Sequence, residues 1–426
     1  MSGKFSFLGM ALYTAGNMIG TGTHQTLNAL ARDGCGNLLW ANFLLAGLLA
    51  SLSSLPLFHL YGKHPADDCL LVSAEAGFGR RWGSFIALVN GHLVSMELLF
   101  AVTMQVSFFG DAAAAQTPFG DWAGKVAAVV LLLVLWMSVR ARGALFTARI
   151  AFWLGVLELS TVGLLVLSSF LAWRIGRPLR PVSSLFDASE TKWDQFSSGI
   201  HVAIFAYGGF PGMIQSGDLV RQPARDVPLG IVLACILTMC IYVLMSASVL
   251  LVAEPASIQS FETGFDSLQS IVPDVVLKGI SLTVLSSVAN NIMENSLVII
   301  SNLTQMVSSG TLAFLDLGLC RSDSVTFGSI ILLTIFKDSI GLRFLGDAID
   351  FALLLQFAIL AILSISLMIQ ERTHLKIIPP VLSLMANCLL GIWHCYHASL
   401  KPMLLLLIFC VLLPLIYQLN SKGKVE

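Results

Sequence analysis

Ten residues near the start of the chain combine polar side chains with a glycine-rich backbone inside an apolar segment. The stretch 15–24 reads Ala-Gly-Asn-Met-Ile-Gly-Thr-Gly-Thr-His and lies within the apolar run 5–30. Glycine disfavours helix interiors, and backbone groups freed at membrane depth need partners in protein or in a watery cavity. The stretch therefore predicts an interrupted helix whose free N–H groups attract an anion and whose free carbonyls attract a cation. A zwitterion with adjacent carboxylate and ammonium groups fits such a site.

Ionisable and amide side chains recur in other apolar segments. Glu97 and Glu158 each lie within one such segment, and Glu294 and Asn295 end the run Asn-Asn-Ile-Met-Glu-Asn. Such groups are costly in lipid and mark functional sites by default, although polar side chains also hold helices together. We expect Glu97 and Glu294 to attract a cationic group and Glu158 to carry a proton. For each, the alternative is a hydrogen bond within the helix bundle.

His24, at the end of the glycine-rich stretch, has two interpretations. An imidazole at this position predicts a hydrogen-bond donor or a proton acceptor in the site. The alternative is a structural histidine whose ring nitrogens are satisfied by neighbouring groups.

The elements that must position these residues are membrane helices. Of the 426 residues 56% are hydrophobic and 12% are charged, and the mean hydropathy is +0.83. That composition is far more apolar than that of a soluble domain. The net charge of −1 gives no reason to expect a nucleic-acid partner. The eight cysteines form no C-x-x-C pair, so we interpret them as packing residues and expect neither metal nor cofactor.

Spacing of apolar segments predicts about twelve membrane-spanning helices, since a bilayer core needs about 20 apolar residues per helix. Short connections indicate one transmembrane domain over residues 1–426. The predicted spans lie near 5–30, 37–61, 84–110, 123–139, 145–173, 196–217, 229–252, 275–307, 324–340, 345–370, 377–396 and 402–419.

A second interruption lies five spans after the first. The sixth span contains Phe-Ala-Tyr-Gly-Gly-Phe-Pro-Gly at 205–212. Two interrupted spans in corresponding positions indicate an inverted repeat with a binding site near the membrane midplane. The expected organisation is a first repeat over 5–173, an inverted repeat over 196–370 and two accessory helices over 377–419. Lys and Arg placement predicts cytoplasmic termini, although Arg174, Arg177 and Arg180 on the other side weaken that bias.

Four stretches resemble the amino acid–polyamine–organocation (APC) superfamily, of the amino acid permease and antiporter type. They match its motifs in the first helix, before the third and fifth helices, and in and after the sixth helix. The stretches are Gly-Asn-Met-Ile-Gly-Thr-Gly at 16–22, Glu-Ala-Gly-Phe-Gly-Arg-Arg-Trp-Gly-Ser-Phe at 75–85, Arg-Gly-Ala-Leu-Phe-Thr-Ala-Arg at 142–149, and Phe-Ala-Tyr-Gly-Gly-Phe at 205–210 with Arg-Gln-Pro-Ala-Arg-Asp-Val-Pro at 221–228.

This resemblance implies an all-α polytopic protein with a LeuT-like fold of five plus five helices, broken in helices 1 and 6. It implies amino-acid or amine transport by alternating access. By position, Thr21 and Gly22 would meet the substrate carboxylate, and Phe205 would close over the substrate. Carbonyls of both breaks, here those of Met18, Phe205 and Gly208, would meet the ammonium group. Together with the residues singled out above, the candidate substrate site comprises Asn17, Met18, Thr21, Gly22, His24, Glu97, Phe205, Gly208, Glu294 and Asn295.

Three departures from the family pattern leave the coupling chemistry open. Thr23 and His24 replace an apolar residue and a Phe. Pro211 lies where relatives often carry Glu, Ala or Asp. Glu158 occupies the place of a Lys found in some members.

The acidic residues favour a cationic amino acid or amine, moved in exchange. The alternatives are a proton-coupled symporter of neutral or aromatic amino acids and a non-transporting sensor or assembly subunit. An intramembrane enzyme using Glu97, Glu294 and His24 is a third rival. Without a nucleotide-binding loop or a hydrolase motif, we expect no enzymatic activity. Expected partners are the substrate, protons or a counter-substrate, and the lipid of a bacterial inner membrane. The oligomeric state stays open, with a homodimer as one option.

Overall fold

The computed structural model describes most residues of the chain. They are 4–21, 26–32, 35–65, 69–115, 120–142, 144–174, 179–189, 191–213, 217, 220–258, 274–308, 322–397, 400–412 and 414–415. In this part the secondary structure is helical apart from one isolated parallel bridge between Phe5 and Val220.

The helices of the first half lead from the glycine-rich stretch to the middle of the chain. They are α1 (Phe7–Thr21), α2 (Leu27–Arg32), α3 (Leu39–Ser54), α4 (Pro56–Lys63), α5 (Cys69–Ala115), α6 (Gly120–Arg142) and α7 (Ala144–Arg174). The helices of the second half follow the loop around Arg180. They are α8 (Trp193–Phe205), α9 (Phe210–Met213), α10 (Pro223–Val252), α11 (Pro255–Ile258), α12 (Asp274–Ser308), α13 (Ser322–Ile340), α14 (Leu342–Gln370), α15 (Ile378–His397) and α16 (Leu400–Leu407), which continues as a π-helix over Ile408–Leu412.

Seven helical segments of the described part are long and apolar enough to cross a membrane. They are 36–63, 69–114, 122–141, 146–167, 223–252, 343–370 and 378–396. Helices also lie in the other segments that the sequence predicts to span. Among these, α1 has 15 residues and α8 has 13, and the chain after α8 continues through a turn into α9. The prediction of an all-α polytopic membrane protein is therefore confirmed.

The sixth predicted span is interrupted where the sequence places the break. Helix α8 ends at Phe205, residues 206–209 form a turn, and α9 begins at Phe210. We refer to residues 206–209 as the α8–α9 turn. Its last residue, Gly209, has φ +91°, a conformation that favours glycine because it lacks a Cβ. The chain thus leaves the helix through a backbone conformation that other residues adopt only with strain.

The first predicted span differs in detail from expectation. Gly16 and Gly20 are helical, and α1 continues through both to Thr21 before α2 begins at Leu27. These two glycines allow close helix packing instead. A Cβ on Gly16 would lie 3.1 Å from the Cα of Gly155 in α7, and a Cβ on Gly20 would overlap the Asn291 amide of α12. Residues 22–25 lie outside the described part.

Helix α5 contains a bend ahead of the predicted third span. Gly79 has φ 74° and ψ 160°, so the helix axis is interrupted there. The arm before the bend is anchored to α14, because the Gly77 carbonyl accepts hydrogen bonds from Ser366 Oγ at 3.1 Å and Gln370 Nε2 at 3.0 Å. The long segment after the bend carries Glu97 into the bundle.

Arg180 has a structural role that accounts for a basic residue on the side the sequence predicts to be external. Its guanidinium donates to the Leu250 carbonyl at 3.1 Å and to Asn37 Oδ1 at 2.9 Å. Its backbone N–H donates to the Leu251 carbonyl at 2.9 Å. The side chain thereby caps the end of α10, where unpaired carbonyls favour a positive charge.

Candidate functional site

The α8–α9 turn lies between α1 and α5, so residues far apart in sequence meet there. A Cβ on Gly209 would be 3.0 Å from the Asn17 amide nitrogen of α1. A Cβ on Gly208 would be 3.5 Å from Glu97 Oε1 of α5. Asn17 is 5% exposed, and neither atom of its amide has a hydrogen-bond partner. The structure therefore brings Asn17 and Glu97 to the two glycines of this turn, while a role of these residues in binding stays a prediction.

Tyr242 of α10 connects the end of α1 to the α8–α9 turn, and the sequence analysis missed this residue. Its hydroxyl lies 2.6 Å from the Met18 carbonyl, 3.3 Å from that of Ile19 and 3.2 Å from that of Ala206. One hydroxyl proton serves these carbonyls in turn. Met18, which the resemblance assigns to the substrate ammonium, thus already accepts one hydrogen bond and keeps a second lone pair. The sequence signal for this role was a single Tyr within an apolar span.

Glu97 has an amide partner and an acidic neighbour, both on α14. The carboxyl is 2% exposed and accepts a hydrogen bond from Gln356 Nε2 at 3.3 Å. Asp350 is close enough for its charge to interact with that of Glu97. Among the described residues no Lys or Arg forms an ion pair with Glu97. A buried carboxylate without a basic partner suits a cationic ligand.

A cavity of about 620 Å³ leads to Phe205, the last residue of α8. Charged groups line it from several helices: exposed Arg32 and Arg343, and the acids Asp347 and Asp350. Two buried histidines complete the wall, with His201 Nε2 2.9 Å from the Leu390 carbonyl and His394 Nε2 3.1 Å from that of Asp347. The remaining lining residues are Thr26, Ala29, Met104, Gln195, Ser198, Val202 and Gly346.

Glu158 and Glu294 form a second acidic group, between α7 and α12. Glu158 accepts a hydrogen bond from the Ser287 hydroxyl, and Glu294 accepts one from Asn290 Nδ2 at 3.4 Å. Glu294 also interacts electrostatically with Glu158. Sequence reasoning grouped Glu294 with Glu97, whereas in the structure the donors to Glu158 and Glu294, Ser287 and Asn290, lie one helical turn apart on α12.

The other predicted site residues separate into two kinds. Asn295 donates from Nδ2 to Gln105 Oε1 of α5 at 3.4 Å, a contact between helices of the kind the alternative interpretation expects. Thr21 ends α1, and its side chain lies outside the described part, as do Gly22 and His24. Their assignment to the substrate stays a prediction.

Comparison with known proteins bears on this arrangement. The model of a family described as "Amino acid permease" matches residues 5–423, which is nearly the whole chain. The chain belongs to the amino acid permease family. This family consists of transporters and not of enzymes. The match confirms the resemblance drawn from the four motifs and agrees with a multi-pass membrane permease.

Two curated relatives of the permease come from Arabidopsis thaliana. "Cationic amino acid transporter 2, vacuolar" is 25% identical over 244 residues, which cover 54% of this chain and 38% of the relative. "Cationic amino acid transporter 4, vacuolar" is 25% identical over 269 residues, which cover 57% and 42%. The matched region thus spans about two fifths of each relative's length.

Proposed function

We propose that this permease is a secondary transporter that moves a cationic amino acid or amine across the membrane by alternating access. The observation that carries the proposal is the position of Glu97, a buried carboxyl whose Oε1 lies 3.5 Å from where a Cβ on Gly208 of the α8–α9 turn would be. The family match supports amino-acid transport. The names of the two plant relatives support a cationic substrate.

The proposed binding mode separates the backbone of the substrate from its side chain. The α-amino group meets carbonyls of the α8–α9 turn and of Met18, and the α-carboxylate meets the segment at Thr21 and Gly22. The cationic side chain turns toward Glu97 and Gln356. Because the effective dielectric constant there is low, the charge interaction with Glu97 is stronger than it would be in water.

An asymmetry between the two ends of α14 supports the proposal of alternating access. The cavity opens the bundle at one end of α14 and reaches Phe205, so the substrate enters there and Phe205 closes behind it. Release at the opposite end requires the interrupted segments to change their orientation. Breaks in helices act as hinges because their backbone already lacks helical hydrogen bonds. We further propose that the cavity faces away from the cytoplasm, in agreement with the Lys and Arg placement.

Uptake into proteoliposomes tests the substrate assignment. Purified full-length protein is reconstituted, and uptake of labelled arginine, lysine, leucine and phenylalanine is compared. Saturable uptake of arginine or lysine in preference to the neutral amino acids is expected. Saturable uptake of leucine or phenylalanine alone would instead establish the symporter alternative, and no saturable uptake of any amino acid would contradict transport.

Glu97→Gln tests the role of the carboxyl. Losing a charged hydrogen bond costs about 1.5–3 kcal/mol, so KM for arginine should rise roughly 10-fold to 150-fold. The KM of any neutral substrate should change far less. The matched control is Glu75→Gln in the same helix, where the carboxyl bonds to Ser84 at 2.6 Å away from the cavity. Equal effects of Glu97→Gln on charged and neutral substrates would remove Glu97 as the cation-recognising group.

A further inference from the structure

The geometry points to a function for the second acidic group: we propose that Glu158 and Glu294 share one exchangeable proton that is coupled to transport. We refer to these two residues as the carboxyl pair. The inference rests on the proposed transport function and specifies its coupling ion. It also moves Glu294 from substrate recognition to coupling, a role that the sequence analysis gave to Glu158 alone.

Burial of the carboxyl pair is the first observation. Glu158 is 3% exposed and Glu294 is fully buried, and each has one oxygen, Oε2, without a hydrogen-bond partner. The two partners that are present, the Ser287 hydroxyl and the Asn290 amide, are neutral donors. Two adjacent carboxylates without a counter-charge are far more costly to bury than one carboxylate and one carboxylic acid. A single shared proton removes most of that cost.

Neighbouring elements do not supply the missing positive charge. On α1, Tyr13 interacts with Glu294 but is neutral. On α5, Glu97 has Gln356 as its partner, and on α10 the Tyr242 hydroxyl serves the Met18 carbonyl. On α13, Lys337 donates to Ser107. No described Lys, Arg or His forms an ion pair with either member of the carboxyl pair.

The carboxyl pair lies near a close approach of α1 and α7, at which a side chain of α12 is also present. The Asn290 amide nitrogen, which donates to Glu294, is 4.0 Å from the Cβ position of Gly16 and 3.9 Å from that of Gly155. Gly155 lies one helical turn before Glu158 on α7. Any movement of α1 relative to α7 and α12 therefore changes how well the carboxyl pair is shielded from water.

Proton transfer in this scheme is a simple exchange. When α1 is packed as described here, one O–H bond forms on a carboxyl oxygen and the pair carries a single negative charge. When α1 moves away and water enters, that O–H bond breaks and the proton passes to water on the newly opened side. Water then solvates both carboxylates. The carboxyl pair can therefore lose its proton only when α1 has moved away. The proton and the substrate are thereby linked through α1.

Infrared difference spectroscopy of the purified full-length protein tests the carboxyl pair without substrate. Titration should reveal protonated-carboxyl C=O bands that disappear as the pH rises, and other buried carboxyls such as Glu97 contribute to them. Glu158→Gln and Glu294→Gln should each remove the same component of this signal, while Glu97→Gln and Glu75→Gln should retain that component. Spectra identical to wild type in both Glu158→Gln and Glu294→Gln would overturn the proposal, whatever the transport assays show.

Transport assays provide the second readout. Counterflow of labelled arginine, which needs no net proton movement, should persist in Glu158→Gln and Glu294→Gln, whereas the pH dependence of net uptake should be lost. The double variant should show no further change, because the two residues hold one proton as a unit. Counterflow with an unaltered pH profile in both single variants would refute the carboxyl pair but leave the transport function intact.

Ser287→Ala offers a milder variant in case the glutamine variants fold poorly. Removing its hydroxyl deletes the hydrogen bond to Glu158, so the pH profile of uptake should shift. Ser286→Ala removes a hydroxyl from the adjacent residue, outside this hydrogen bond, and should leave the profile unchanged. Uptake that depends on sodium and not on pH would replace the proton by a metal cation and would also overturn the proposal.

Discussion

The hydroxyl group of Tyr242 links α1 to the α8–α9 turn. Tyr242 is fully buried, and its ring packs against Phe43 and Tyr207 with centroids 5.0 and 5.4 Å away. Its hydroxyl reaches carbonyls in the last turn of α1 and in the α8–α9 turn. Backbone carbonyls at membrane depth need such a donor because no lipid atom can replace it.

Tyr242→Phe should therefore weaken the site while keeping the core packed. The buried carbonyls lose their shared donor, which costs about 1–3 kcal/mol. We expect a lower thermal unfolding midpoint and a changed KM for the substrate. The control is Ser246→Ala on the same helix, whose buried hydroxyl donates to the Tyr242 carbonyl at 2.7 Å and not to α1. It should lower the midpoint without the change in KM, and wild-type values for both quantities in Tyr242→Phe would show that the link is dispensable.

At the scale of elements, the division between α8 and α9 depends on backbone that only glycine adopts readily. Gly209 combines φ +91° with close contact to Asn17, so a side chain there would be both strained and crowded. The two glycines of the turn also allow Glu97 and Asn17 to approach the peptide groups directly. The turn thus forms a binding surface of backbone atoms flanked by polar side chains.

Gly209→Ala tests this account of the turn. Holding alanine at positive φ costs of the order of 1–2 kcal/mol, and the contact with Asn17 adds to it. We expect lower thermal stability and strongly reduced uptake in proteoliposomes. Gly163→Ala on α7 is the control, since a Cβ there meets no atom within 4 Å. Alanine at that helical position should be neutral or slightly stabilising, and equal behaviour of the two variants would contradict a special role for Gly209.

At the scale of the whole molecule, the two ends of α14 differ. The first turns of α14 line the cavity, whereas its other end is held to α4 by the Lys63–Glu371 ion pair. On α1, the segment before the helix is also tied down. Phe5 pairs with Val220, and its carbonyl accepts a hydrogen bond from the Arg221 N–H at 3.0 Å. The cavity thus lies at one end of α14 and the ion pair at the other, and we propose that the end with the ion pair is cytoplasmic.

The ion pair at that end of α14 predicts a pH dependence of stability. A hydrogen bond from Lys63 lowers the pKa of Glu371. Since the folded-state pKa lies below the unfolded value, the contribution is fully present above the unfolded pKa. It is lost as the pH falls through the lowered folded value. Because both side chains are partly exposed, its size should stay below about 1 kcal/mol.

Glu371→Gln should remove this contribution. At pH 7 we expect a slightly lower thermal unfolding midpoint in detergent, and the difference from wild type should vanish under acid conditions. Glu254→Gln, at an exposed carboxyl outside this contact, serves as the control and should track the wild type at every pH. A constant difference between Glu371→Gln and wild type across the titration would indicate that the ion pair is not the cause.

The sequence by itself determined the class of the fold and the place of one break. Long apolar runs must form helices in lipid because every backbone group needs an internal partner, so the helices could be located from hydropathy alone. Glycines clustered with Pro211 marked the interruption after Phe205 for a similar local reason. Buried carboxyls such as Glu97 were conspicuous because charged residues are rare at that depth.

Only the tertiary structure decided which of these residues act together. Helical periodicity relates neighbours along one helix and carries no information about contacts between helices. It could not show that Glu294 interacts with Glu158, or that Tyr242 joins α1 to the α8–α9 turn. The same limit explains why Gly16 and Gly20 were taken for signs of a break. A missing side chain permits either an irregular backbone or a close neighbour. The positions of Gly155 and Asn291 show that Gly16 and Gly20 serve close packing.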